Sequence, residues 1–183
     1  MANSGSSTAE FRQQIQPHIH RDVIAPLEAA GARVVYVDFK PAAGVNVTAD
    51  LSAPDFASHF ERGFDLSLCT NMLEHVEDIP AVVDNILRIA APGACLLLTV
   101  PRRYPLHFDP IDNGFRPRPD ELAALFQRRA SCRVLRSQVI AIRESAYYPV
   151  RKSAYPLWGY RLRLRYLIGW YYKVSGVLIQ KKD

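Results

Sequence analysis

Long apolar runs, paired cysteines and an excess of charge are all scarce in this chain, and each scarcity removes a class of protein. No run of about 18 apolar residues occurs, so nothing in the sequence reads as a membrane-spanning helix. The three cysteines, Cys69, Cys95 and Cys132, are far apart, odd in number and without metal spacing. Cys69 and Cys95 sit inside apolar runs and suit small buried hydrophobes in a reducing compartment. Residues 1–20 lack the apolar core of a secretory signal and are polar (Asn3, Ser4, Ser7, Gln13, Gln14). These absences point to the cytoplasm.

What is present is an ordinary globular composition. With 183 residues and 49% hydrophobic side chains, one domain over 1–183 can bury a real core. The net charge of +5 is unevenly placed. Residues 1–142 carry 14 Lys/Arg against 16 Asp/Glu, whereas residues 143–183 carry 9 against 2. A body without net positive charge argues against a broad nucleic-acid groove. The basic tail also holds both tryptophans and seven of the nine tyrosines, and needs its own explanation.

Helical and strand-like stretches alternate along the first hundred residues. Thr8 to Ala30 reads as helix, broken at Pro17 and Pro26 and closed by Gly31. Arg33 to Asp38 and Gly44 to Asp50 read as strands, each ending in an acid, and Phe56 to Arg62 as a short helix. Phe64 to Thr70 is a third strand, and Ile79 to Ala90 an amphipathic helix with Val82, Val83, Ile86 and Leu87 on one side. A turn at Pro92-Gly93 leads into Ala94 to Val100, apolar throughout like a strand covered on both faces. This alternation predicts a parallel sheet with helices on both sides. Beyond a loop at 101–119 the pattern predicts a helix from Pro119 to Phe126 and strands over Val134–Ile142 and Val174–Gln180.

In an open α/β sheet, ligands lie outside the carboxyl ends of the strands. Asp38 closes one strand, where a carboxylate can accept hydrogen bonds from both hydroxyls of a ribose or act as an ordinary cap. Asp50 closes the next. It suits either the adenine amino group, with Leu51 on the ring, or the N-cap of the Phe56 helix. The most specific stretch is Asn71-Met-Leu-Glu-His-Val76, directly after the third strand.

Here the chain resembles the class I S-adenosylmethionine-dependent methyltransferases, in which a strand like Phe64-Asp-Leu-Ser-Leu-Cys69 runs into Leu73-Glu-His-Val76. The resemblance continues through Pro92-Gly93 and the Leu-Leu-Leu-Thr-Val-Pro101 strand, covering roughly residues 3–126. It implies a Rossmann-like, doubly wound, mostly parallel seven-stranded sheet with an antiparallel last strand, and S-adenosylmethionine as cofactor. Asn71 and Leu73 would border the methionine arm of that cofactor. The family carries a Gly-rich turn after its first strand, letting backbone approach the cofactor. Only Asn3-Ser-Gly-Ser-Ser-Thr8 stands there, with Gly5 and Ser6 at the matching place and a first strand cut short. His75 suits a helix-start hydrogen bond.

The loop from Tyr104 to Arg116 lies over the expected substrate side. His107, Asp109 and Asp112 are the groups that could orient or deprotonate an acceptor, or else form turns that hold a lid. The acceptor class implied is a small molecule or a glycan, with no nucleic acid. The insertion at about 145–173 suits shielding of the substrate pocket, an oligomer interface, or peripheral membrane contact through residues 147–173. Two rival functions stand beside methyl transfer: a non-catalytic binding domain of the same fold, and a nicotinamide oxidoreductase. The latter lacks a full Gly-x-Gly-x-x-Gly.

Overall fold

The computed structural model describes residues 19–106, 111–142 and 171–182. The chain divides into two compact units, one ending at Glu61 and one beginning at Arg62. Six strands fall within the described residues, in a two-stranded and a four-stranded sheet. The segment expected to hold the first strand, with Gly5 and Ser6, lies outside them, as do His107 and Asp109 and, apart from Tyr171, Tyr172 and Lys173, the basic aromatic insertion.

In the first unit a π-helical turn, His20–Ile24, leads into helix α1, Ala25–Ala29. Pro26 has no N–H to continue an i→i−4 ladder, and the Ala25 N–H instead reaches back to the His20 carbonyl. Gly31, at φ +87°, closes the helix by donating to the Glu28 carbonyl at 2.9 Å. Strands β1, Val37–Asp38, and β2, Val47–Thr48, pair in parallel. They are shorter than the patterns at 33–38 and 44–50 suggest. The Tyr36 N–H is taken by the Asn46 side chain at 2.8 Å, so the regular ladder begins only beyond it. A 3₁₀ turn, Phe56–His59, stands in place of the longer helix expected to Arg62, and Phe56 packs its buried ring edge-on against Phe60.

In the second unit, β3 (Phe64–Thr70) pairs in parallel with β4 (Ala90–Arg103). Strand β6 (Tyr172–Lys181) inserts between β4 and β5 (Cys132–Ile142), antiparallel to both. The sheet order is β3-β4-β6-β5. Helix α2, Ile79–Ile89, starts at Asp78, whose carboxylate accepts the Ala81 N–H at 2.9 Å. At its other end the Lys181 ammonium donates to the Leu87 and Ala90 carbonyls at 3.0 and 2.8 Å, placing a cation where the helix dipole is negative. Helix α3, Pro119–Gln127, begins on a proline and holds the Arg118 N–H on the Glu121 carboxylate at 2.7 Å.

The core lies on one face of this sheet. Leu96, Leu98 and Val100 of β4 stand beside Ile179, Val177 and Ser175 of β6 in register, and all are buried. Val82, Val83, Ile86 and Leu87 of α2 and Leu122 and Phe126 of α3 complete this layer, and Arg129 joins Asp84 at 2.8 Å. Burying each such aliphatic or aromatic side chain contributes about 1.5–3 kcal/mol. On the opposite face Leu66 and Leu68 remain 38% and 39% exposed, so the described helices of this unit cover only one side.

One polar group is sealed into that core. Ser175 is fully buried and its hydroxyl donates to the Pro117 carbonyl at 2.6 Å, tying the loop before α3 to the middle of the sheet. Ser175→Ala leaves that carbonyl without its donor. It should lower the unfolding free energy by about 1–3 kcal/mol in urea denaturation. An unchanged midpoint would mean the carbonyl has another partner.

Candidate functional site

The carboxyl ends of the strands carry the candidate residues, described unit by unit. In the first unit, the Ala49 N–H donates to the Asp38 carbonyl at 3.0 Å, so β1 and β2 finish side by side. Asp38 is exposed and its carboxylate accepts the Lys40 N–H at 3.0 Å. Asp50 is likewise exposed and accepts both the hydroxyl and the N–H of Ser52, at 2.7 and 2.8 Å. These bonds, the hydroxyl first, hold its carboxyl below the usual carboxylate range. It closes a local turn and does not cap the Phe56 turn, which Asp55 precedes. Leu51 beside it is half-buried.

In the second unit β3 runs into Asn71, the only non-glycine residue at positive φ (+49°) among the described residues. Asn tolerates this left-handed conformation better than most residues, which accounts for an Asn at the strand end. Its N–H extends the ladder to the Thr99 carbonyl at 2.8 Å, while its side chain is exposed, with Oδ1 3.4 Å from the Thr99 hydroxyl. The reversal turns the chain into a 3₁₀ turn, Leu73–His75. Leu73, expected at the cofactor, is fully buried, so its side chain is a core contact.

Sequence reasoning missed the clamp on this turn. Asn113 donates from its side-chain amide to the Leu73 and Val76 carbonyls at 2.9 and 2.7 Å. Its backbone N–H donates to the Glu74 carbonyl at 2.9 Å. The His75 ring is fixed by its Nδ1 on the Ile111 carbonyl at 2.5 Å. With a carbonyl as partner, Nδ1 carries the proton. Asp112-Asn113-Gly114 does form turns, as its composition suggests: Gly114 donates to the Asp112 carboxylate and Phe115 to the Asn113 side chain. The Asp112 carboxylate is fully buried and its second oxygen meets the Arg116 guanidinium at 2.6 Å. Both oxygens are therefore engaged, which gives Asp112 a bracing duty in the loop in place of the acceptor-facing role expected from its position.

Beneath the turn, Glu74 is fully buried with one carboxylate oxygen 3.8 Å from His75 Nε2. Burial, and secondarily the Glu74 charge, push the Cys69 thiol up to about 12. Among the described residues no cluster of three or more His, Cys, Asp or Glu could hold a metal ion. No helix among them is long and apolar enough to cross a membrane.

The strand order, with a parallel pair continued by an antiparallel strand inserted before the edge, is that of a Rossmann-like methyltransferase sheet. Residues 19–144 match the family model of the methyltransferase domain, and the chain belongs to that family. No curated relative matches it. Among solved structures, one described for the conversion of a disulfide bond into a thioacetal group during echinomycin biosynthesis is similar, with a TM-score of 0.53 at 12% identity. That match covers 87% of this chain and 70% of the other. The N-methyltransferase NodS from Bradyrhizobium japonicum WM9, in complex with S-adenosyl-L-homocysteine, has a TM-score of 0.49 at 10% identity, covering 82% and 67% of the two chains. The cyclase SpnF has a TM-score of 0.47 at 15% identity, covering 73% and 54%. The chain spans about half the length of SpnF and of the StiE O-methyltransferase segment, at 54% and 48%.

Two outcomes test this geometry. Asn113→Ala removes both amide donors and should cost about 1–3 kcal/mol in chemical denaturation; a loss of a few tenths would mean water replaces the clamp. The raised Cys69 thiol stays protonated in the folded chain while the unfolded thiol ionises above about 8.5. Its contribution is thus complete below that pH and is lost as pH climbs toward 12. Relative to wild type, Cys69→Ala should flatten the decline of unfolding free energy between about pH 9 and 11. Parallel declines in the two proteins would contradict the assigned burial.

Proposed function

We propose that this chain is the catalytic domain of an S-adenosylmethionine-dependent methyltransferase acting on a small-molecule or glycan acceptor. The observation that carries the proposal is the pair of exposed carboxylates, Asp38 and Asp50, both at the carboxyl end of the parallel pair β1–β2. The match of residues 19–144 to the methyltransferase domain supports it.

The donor set fits the cofactor. Asp38 has an exposed carboxylate able to accept from two adjacent ribose hydroxyls. Asp50, held ionised by Ser52, offers an acceptor to an adenine amino group, with half-buried Leu51 available to the ring. In the second unit, Asn71 would border the methionine arm with its exposed amide. When bound, S-adenosylmethionine supplies an electrophilic methyl group. The chain's own task is alignment, which can account for a large part of the barrier reduction without any acid or base. The 111–117 loop suits that task because Asn113, Asp112–Arg116 and Ser175–Pro117 leave it little freedom.

Calorimetry tests the proposal. S-adenosylhomocysteine should bind and NAD should not. Asp38→Ala should weaken the binding by about 1.5–3 kcal/mol, roughly ten- to hundredfold. No heat with the sulfur cofactors would sink the proposal, and unchanged affinity in a folded variant would leave Asp38 as a turn cap for Lys40.

A further inference from the structure

Strand β5 ends one side of the four-stranded sheet. Among the described residues β6 is its only ladder neighbour, so its other edge presents a row of backbone N–H and C=O groups. Arg133 to Ile140 are exposed without interruption, apolar Val134, Leu135, Val139 and Ile140 among them, whereas β6 beside it is buried along most of its length. Val139 is the most exposed of these four, at 47%. Edge strands are ordinarily blunted by shortness, proline, lysine or a bulge. β5 runs for 11 residues without proline or lysine, and its one bulge falls between Val134 and Arg136. Beyond that point Arg136–Ile142 pairs residue for residue with β6 and stays regular to its end.

A second copy of this chain fits the regular run. In a two-fold antiparallel pair residue i meets j of the copy and j meets i, and the residue at the axis meets its own copy. β5 carries two arginines and no acid, so the placing of charge selects the register. With Ser137 at the axis, the two Arg136 side chains would stand about 7 Å apart along the strands, where like charges repel. With Val139 at the axis they stand about 20 Å apart, beyond the screening length of about 8 Å. That register uses the whole of Arg136–Ile142 and opposes Gln138 to Ile140, Ser137 to Ala141 and Arg136 to Ile142 of the copy. At its centre Val139 meets its own copy, a β-branched pair. Neither arginine calls for an acidic strand instead. Arg133 donates to Gln180 Oε1 at 3.0 Å and Arg136 to Gln138 Oε1 at 3.3 Å.

We propose that two copies of this chain associate through antiparallel pairing of their β5 edges, with Val139 on the two-fold axis. The pairing joins the two four-stranded sheets into one continuous sheet across the dimer. Backbone hydrogen bonds supply the attraction, and Val139 and Ile140 lose exposed apolar surface. The paired run is about 24 Å long, so the contact lies at the small end of specific interfaces and forms in a concentration-dependent way. The association does not rest on the methyl-transfer function proposed above.

The test uses the whole chain in analytical ultracentrifugation, from micromolar to near-millimolar concentration. The wild type should pass from monomer to dimer over that range. Val139→Lys sets two like charges against each other at the axis and should weaken association roughly tenfold, while Val139→Thr, which keeps the β-branch, should change it much less. Circular dichroism checks that each variant folds. Cross-linking reads the register independently of those variants. Directly opposed residues have Cα atoms about 4.5–5.5 Å apart, within disulfide range, so Val139→Cys should form a disulfide-linked dimer on mild oxidation. In the same register the two positions 137 lie about 14 Å apart along the strands, so Ser137→Cys should not link. Wild type oxidised alongside gives the background from the free thiols of Cys95 and Cys132. A monomer at every concentration overturns the proposal and leaves the edge to a segment of this chain or to a foreign strand. A dimer that survives Val139→Lys, or that links in Ser137→Cys and not in Val139→Cys, overturns it as well.

Discussion

Strand β4 is the constraint on which the second unit depends. It is the longest strand among the described residues and has neighbours on both edges, β3 in parallel and β6 antiparallel. Its backbone groups must therefore be satisfied in two different ladder geometries at once. Its alternate side chains Leu96, Leu98 and Val100 form the floor on which α2 and α3 pack. The Asn71 reversal is located by it as well, because the Asn71 N–H bonds to the Thr99 carbonyl.

Above that floor the chain uses polar bonds where a loop would ordinarily be free. Asn113, the Asp112–Arg116 pair and Ser175 tie residues 111–117 to the 73–76 turn and to β6. The Asp112–Arg116 pair and Ser175 are buried, so breaking either leaves a desolvated group rather than returning it to water, while Asn113, itself exposed, holds the carbonyl of fully buried Leu73. A loop so tied can act as a fixed wall at the strand ends, which is what alignment of two reactants requires.

Much of this could be read in advance from local signals. β3 and α2 followed from period-2 and period-3.6 patterns, Gly31 and Pro119 marked helix boundaries, and the antiparallel direction of β6 followed from the family resemblance. Local patterns did less well in the first unit. The run at 33–38 has the residues of a strand, but Asn46 takes the Tyr36 N–H and the regular ladder is confined to Val37–Asp38. The 56–62 helix shortened to a 3₁₀ turn, with Phe60 already extended and its ring on Phe56. Leu73 and Asp112 were legible as residues beside a site. Their burial was not, because it depends on what packs over them.

By itself the sequence determined which residues stand at strand ends: Asp38, Asp50 and Asn71. Strand ends are set by short-range composition, by acids, Asn and Pro interrupting β-branched runs, and such information is carried within a few residues. Tertiary structure alone decided which polar groups are structural and which are available. Asn113 meets carbonyls some 40 and 37 positions away, Ser175 meets Pro117 across 58, and Arg103 faces Lys173 only through an antiparallel pairing with one slipped residue. Those contacts depend on register and burial, and a one-residue change in register moves a side chain to the other face of the sheet.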